Sequence, residues 1–582
     1  MSDVQPGTPP TPSPPPRPAK PATPSKRRAD TGSAASASDG RRRALLVGVV
    51  GVALAAVLGA GVAYPDHGVP SVARVASETL LPTVDLSSTA ATVWNCPGPL
   101  PVSGGSTSSI SIVNPATQVA DASVLIAETA VLSQEPNSRP TGEQLKSHSL
   151  DLRIGPQSEQ DFTIVADALV SATTKATKQP VPTIDASVSV IVSGGGVAVG
   201  ETVSSDAGTL ARPCAVGSGT SGYTASGVTS GSSDVEVGLF DPSSSPAVVN
   251  VSIGTDSGLV QPEAFQGVTI APMSLAVLDL GRFVPQRTRV ALSVRAAVGR
   301  VVVGSLTTIS ARFQTRFVGP AHTYEETGEE LVVGIGQPLT SWVMPLGPVG
   351  QTDSEAVRLF NPTARTAVVM IRTSAANAKP ATLTVSVASG QSITVAIPVV
   401  SVPKANNKSA ASTSTPGRTV ITDGVVALRS TTGVGIVVEH ETYVTSSKNH
   451  VTLTSSAPTA APAATWVLPA MTQNASANIR ISITDAGTRA VSVTVEQIYG
   501  APISLAGSAE GVVPAPARLT TIEVNPGTSI VVSLRTSAKL GTTAPFGIEI
   551  KASGPVLVTA NLWPAKNIAA GAVEAGVPAT SS

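Results

Sequence analysis

The chain has 582 residues, 38 Lys+Arg against 38 Asp+Glu, and only 13% charged residues, about half the usual share. That balance excludes a polybasic nucleic-acid binder. Two cysteines exclude a disulfide-dense scaffold, and aromatics at 3% leave few to spare for a carbohydrate-stacking platform.

Residues 1–25 hold ten prolines, a composition that favours extended polyproline II and buries no core. Residues 1–43 carry eight basic and three acidic side chains, ending in Arg41, Arg42 and Arg43. They read as a disordered, basic, Pro-rich tail, with PPRP at 15–18 as a possible polyproline ligand. The next 21 residues, ALLVGVVGVALAAVLGAGVAY (44–64), contain no charge, which is enough helix to cross a ~30 Å hydrocarbon core. The arginine triplet at its N-terminal end places 1–43 in the cytoplasm and 65–582 outside the cell membrane. A cleavable signal peptide is the competing reading, with small residues near Gly61 and Ala63 as the cut. The long preceding tail and long apolar run favour an uncleaved anchor. Residues 65–91, with Pro65, Pro70 and Pro82, read as a linker.

Four later segments align: SSISIVNPATQVADASVLI (108–126), SDVEVGLFDPSSSPAVVNVSI (233–253), SEAVRLFNPTARTAVVMIRT (354–373) and ANIRISITDAGTRAVSVTVEQ (477–497). Each is an alternating strand, then Asn114, Asp241, Asn361 or Asp485, then a small turn and a second strand. The spacings are 127, 120 and 124 residues. An Asx side chain accepts from the backbone two residues on, so these positions read as turn devices rather than calcium ligands. Trp94, Trp342 and Trp466 precede the Asx by 20, 19 and 19 residues, and Tyr223 holds the same place 18 residues before Asp241. These aromatics read as buried plugs of their units. Each unit closes on two apolar arms around a Gly turn (187–203, 290–307, 425–442, 546–562), read as β-hairpins. About seven strands per unit follow.

The expected fold is therefore all-β: four tandem immunoglobulin-like or fibronectin-like β-sandwiches behind one transmembrane helix. The boundaries are 1–43 tail, 44–64 membrane helix, 65–91 linker, 92–214, 215–337, 338–460 and 461–568 sandwiches, and 569–582 flexible C-terminal tail. A short helix is expected within 157–176, a flexible linker at 217–222, and a surface insertion at 403–422. Cys96 and Cys214 flank the first unit. In an oxidising compartment two such cysteines pair, and closing that loop stabilises by up to ~5 kcal/mol in the chain-entropy model.

The CPGP run at 96–99, the strand-Asn/Asp-Pro turns and the Ala/Val/Gly bias resemble an uncharacterised family of actinobacterial envelope proteins with one N-terminal membrane segment and tandem β-domains. The resemblance covers most of 92–565. It implies location and architecture, and no activity.

No nucleophile elbow, phosphate loop, zinc motif or calcium loop is present in the sequence. Two polar spots remain, HTYEETGEE (322–330) and EHET (439–442), read as a solvated loop and a strand face. No catalytic, cofactor-binding or metal residue is assigned, and no cofactor. The function expected is non-enzymatic: a single-pass membrane protein whose extracytoplasmic array is a scaffold, spacer or binding arm in the cell envelope. Its partners would be the membrane and envelope proteins or glycopolymers, not nucleic acid. The alternatives are an accessory subunit of an envelope-polysaccharide assembly or export machine, and an enzyme acting on wall polymers.

Overall fold

A strand that alternates apolar and polar residues must cover its apolar face, and a second sheet laid against the first does so. The computed structural model describes residues 82–580 apart from internal stretches, of which 132–141, 165–182, 399–423, 503–515 and 535–545 are the longest. Residues 44–64 lie outside the described residues, as does the insertion 403–422. No helix among those described is long and apolar enough to cross a membrane. The described chain is all-β, with a 3-10 turn at Glu263–Phe265.

The first unit has strands β1 (Thr92–Pro101), β2 (Thr107–Asn114), β3 (Ala120–Val131), β4 (His148–Ile154), β5 (Ser158–Ile164), β6 (Thr183–Ser193), β7 (Ala198–Ser205) and β8 (Gly208–Pro213). They pair antiparallel as β1-β6-β3-β4 in one sheet and β8-β7-β2-β5 in the other. The second unit has β9 (Ser221–Thr224), β10 (Asp234–Asp241), β11 (Ala247–Thr255), β12 (Val268–Ile270), β13 (Ser274–Asp279), β14 (Ala291–Val298), β15 (Val302–Thr315) and β16 (His322–Val333). These repeat the scheme as β9-β14-β11-β12 and β16-β15-β10-β13. In the third unit β17 (Ser341–Leu346), β18 (Ser354–Phe360), β19 (Ala367–Ser374), β20 (Ala381–Val387), β21 (Ser392–Ala396), β22 (Gly424–Ser430), β23 (Val437–Ser447) and β24 (His450–Ser456) do so again. In the fourth, β25 (Ala463–Met471), β26 (Ala477–Asp485), β27 (Val491–Pro502), β28 (Ala517–Val524), β29 (Ser529–Ser533), β30 (Phe546–Pro564) and β31 (Val573–Ala575) complete it. There β30 serves as two strands, pairing β25 and β27 through its first half and β26 through its second.

The pairing corrects the sequence reading in several places. The Gly-turned arms are not hairpins: β6 and β7, like β14 and β15 or β22 and β23, belong to opposite sheets, so the Gly turn carries the chain across the sandwich. The real hairpin is one strand later, β7–β8, β15–β16, β23–β24 and β30–β31. The second-to-fifth and third-to-sixth pairs are those of an immunoglobulin sandwich, but here the first strand lies on the sixth and the seventh on the second. Residues 158–164, in the stretch 157–176 expected to hold a short helix, are strand β5, and 165–176 lie outside the described residues. The linker 217–222 begins β9. Residues 573–580, expected in a flexible tail, form β31 and the strand Val577–Thr580.

The four Asx residues occupy one topological position, at the end of the second strand of each unit: Asn114, Asp241 and Asp485 are its last residue and Asn361 follows it directly. In all four the Oδ1 accepts the backbone N–H two residues on, from Ala116 (3.1 Å), Ser243 (2.9 Å), Thr363 (3.1 Å) and Gly487 (2.7 Å). Asn114 and Asn361 also donate through Nδ2 to the carbonyls of Gln118 (2.8 Å) and Arg365 (2.7 Å), four residues on. The aromatic markers likewise share one place, in the first strands β1, β9, β17 and β25, and all are buried. Trp342 Nε1 donates to Ile436 O (3.1 Å) and Trp466 Nε1 to Val556 O (3.0 Å), carbonyls just before the seventh strand in both units. Trp94 Nε1 has no such acceptor.

The units do not hang as separate beads. After its eighth strand each chain segment returns to its own first strand: Val216 opposite Trp94, Ile335 opposite Tyr223, Thr459 opposite Val343 and Pro578 opposite Trp466. The outer face of each second sheet then packs on the first-strand side of the unit before it. β10 and β15 lie on β1, β23 on β9, β26 and β30 on β17, and, closing the circuit, β2 and β7 on β25. Two lateral parallel pairings run sheets across unit boundaries, β16 with β24 and β27 with β5. The eighth-strand hairpins meet around the centre, β8 with β16, β16 with β24, β24 with β31 and β31 with β8. Val84–Asp85 closes the ring by pairing in parallel with Val577–Thr580. The cores of units 1 and 4 form one continuous apolar cluster.

The contact of unit 2 on unit 1 uses the CPGP run. Gly238 and Gly304, on the outer face of β10 and β15, let the backbone of Pro97 and Gly98 approach so closely that a Cβ on Gly238 would stand 2.7 Å from Pro97 O. Gly98–Pro99 is a cis peptide. Cys96 and Cys214 are joined, with Cα atoms 4.6 Å apart and a sequence separation of 118.

Two stability changes are expected. Trp342→Ala empties a fully enclosed site and should cost ~3–5 kcal/mol in urea unfolding. Asp485 Oδ2 is buried without a partner, where Asn114 and Asn361 place a donor. Asp485→Asn should therefore raise stability by about 1 kcal/mol in the same assay.

Candidate functional site

The densest cluster of charge lies where the hairpins meet, between units 1, 2 and 3. Strand alternation puts Glu439, Glu441 and Tyr443 on one face of β23, with Arg358 opposite Glu439 on β18. Across β24, on the same sheet, β16 adds Glu326 and Glu330. Arg289 enters from the segment before β14. Glu201 and Arg212 come from the hairpin β7–β8 of unit 1. The segment 322–330 is thus not a solvated loop: it lies within β16, and Glu326 and Glu330 are buried, as are Glu439, His440 and Glu441.

Most of the groups are paired with one another, while neither oxygen of Glu330 has a hydrogen-bond partner. Arg212 Nε meets Glu201 Oε1 at 3.0 Å. Arg289 Nη2 meets Glu326 Oε1 at 3.1 Å and the Tyr443 hydroxyl at 3.0 Å, and the tyrosine donates onward to Glu441 Oε2 at 2.7 Å. Arg358 pairs with Glu441 and also donates to Gly227 O at 3.4 Å. Glu439 Oε1 accepts from the Ala225 backbone N–H at 2.9 Å. On the other face of β23, His440 Nε2 lies 3.3 Å from Glu355.

Five glutamates face three arginines here, so full ionisation would leave excess negative charge without water. Burial pushes Glu201 up to about 7 against the pull of Arg212. Burial also pushes Glu330 up to about 7, with Arg358 pulling back and Glu439 pushing further. Glu439 is raised by the same desolvation. Arg212 is lowered by burial to about 9, and Tyr443 is raised by burial to about 12. A general acid or base needs a substrate atom within reach, and these oxygens are spent on internal partners or enclosed. Such a network orients the elements that carry it.

The one set of metal-type donors that converge among the described residues is Cys96, Glu201 and Cys214, within 4.8 Å of one another. The two sulfurs are bonded to each other, so no thiolate is left to hold an ion and the set does not fit a metal centre.

A family model matches residues 170–497. The chain belongs to DUF5719, a family of unknown function. The matched region takes in both middle units whole and every member of the charge cluster, from Glu201 to Tyr443. No curated protein and no solved structure matches the chain.

Of the residues marked in the sequence, the structure brings Cys96 and Cys214 together. It sets the aromatic and Asx markers at equivalent places in separate units, none of them in the cluster. Sequence reasoning missed Glu201, Arg212, Arg289, Arg358 and Tyr443. The available signal was a charge on the polar face of a strand whose neighbours on that same face, Phe360 and Val437, are apolar.

Removing one partner strands the others in a dry interior. Arg358→Leu should cost ~3–5 kcal/mol. Adding Glu441→Leu should recover part of that loss, a coupling measurable by a double-mutant cycle in urea.

Proposed function

We propose that this is a non-enzymatic, single-pass membrane protein of the cell envelope. Its β-rich portion would be a rigid platform of four sandwich units that holds a binding surface for envelope proteins or glycopolymers. The observation that carries the reading is the fate of the chemistry-bearing side chains. The charged groups and the tyrosine of the cluster are turned inward and paired mostly within their own units, while Arg289 with Tyr443 and Glu441, Arg358 with Gly227 O, and Glu439 with the Ala225 N–H tie unit 2 to unit 3, as cement. The uncharged run 44–64 behind Arg41–Arg43 supports the anchor and its orientation. Because unit 4 packs back on unit 1, the platform reading is preferred to a long extended spacer.

Protease added to intact spheroplasts should remove the chain from residue 92 onward and spare the tail 1–43. Crosslinking on intact cells should join the outer portion to an envelope protein or glycopolymer. A detergent-free soluble form lacking residues 1–63 would overturn the anchor, and recovery free of any crosslinked envelope component would overturn the platform.

A further inference from the structure

A second group of acids, with Asp185 buried and Glu236 half-buried, lies apart from the central cluster, in the seam where unit 2 rests on unit 1. Asp185, on β6, is fully buried, and neither of its carboxylate oxygens has a hydrogen-bond partner. From the other side of the seam, Glu236 on β10 interacts with it electrostatically. The seam is closely fitted. Thr129, opposite Asp185 on β3, donates through Oγ1 to Leu275 O of β13 at 2.8 Å, and the Pro97–Gly98 backbone sits against Gly238 and Gly304.

We propose that this seam is a proton-sensitive joint, closed when Asp185 and Glu236 carry protons and loosened when both ionise. The neighbouring charge supports it. Asp234 of β10 and Asp279 of β13 add further negative charge near Glu236. The cation beside them, Arg282, is engaged with Asp279 at 2.8 Å and both are partly exposed. Glu128 of β3 is buried on the opposite face of its sheet, paired in register with Ala186. Among the described residues no cation pairs with Asp185 itself, so proton binding is the available neutralisation.

The sign follows from linkage. Burial pushes Asp185 up to about 7, and burial together with the Asp185 charge pushes Glu236 up to about 8. A closed seam therefore binds more protons than an open one. Its stability is full only below the ordinary carboxylate values of 3.8 and 4.5, falls as pH rises above them, and the last of it is lost as pH passes the two raised values.

The test is hydrogen exchange on the full chain, corrected for intrinsic rates, comparing amides of β10 and β13 with those of β18 in unit 3. Between about pH 6 and about pH 8.5, protection of β10 and β13 should fall roughly tenfold or more, with β18 changing less. Asp185→Asn and Glu236→Gln should each reduce the fall, and the double variant should remove it. An undiminished fall in the double variant overturns the proposal. So does millimolar calcium restoring protection at the higher pH in the wild type but not in the double variant, which would make the seam a divalent-cation site.

Discussion

The whole arrangement depends on burying the outer face of one sheet in every unit. A free sandwich needs only its inner faces covered, so its strands alternate cleanly between apolar and polar. Here the face carrying Val113, Gly238, Phe360 and their neighbours is covered by the preceding unit. Gly254 of unit 2 makes room for the Phe360 ring, and Gly547 of unit 4 for Val113. Once both faces of a strand are enclosed, any polar group on it must find a partner inside the protein. The charge cluster and the acid seam are two outcomes of that requirement, one met with arginines and one with protons.

Local signals were legible because their causes are local. An Asx side chain reaches only two or four residues along the chain, so Asn114, Asp241, Asn361 and Asp485 show their role without reference to the rest of the fold. The Trp and Tyr markers were legible for a related reason: a large apolar body at a fixed distance from a turn has one place to go. The disulfide followed from compartment and count. What the sequence could not display was which sheet each strand joins. Two apolar arms around a glycine look alike whether they pair with each other or cross between sheets, and the choice rests on partners more than fifty residues away, as for Val113 against Ala198.

The same limit hid the candidate site. A glutamate in VVEHET or an arginine in AVRLF sits in a strand that alternates, and alternation alone reads as a solvated face. The long-range fact that reverses the reading is that unit 2 lies over that face. Low overall charge was a clue in retrospect: a chain with 13% charged residues has little surface to spend them on, and this one keeps many of them indoors.

The pairing of Val84–Asp85 with Val577–Thr580 sets an order of events during synthesis. Unit 1 emerges first and can form its own core, but the surface that receives β25 stays uncovered until the fourth unit has been made. Uncovered apolar surface and open strand edges invite wrong partners, including the fourth unit of a neighbouring chain. A chain cut short before its last unit would leave that surface permanently open. The ring form thus ties the first unit to the fourth: only a molecule that carries its fourth unit can hide its first.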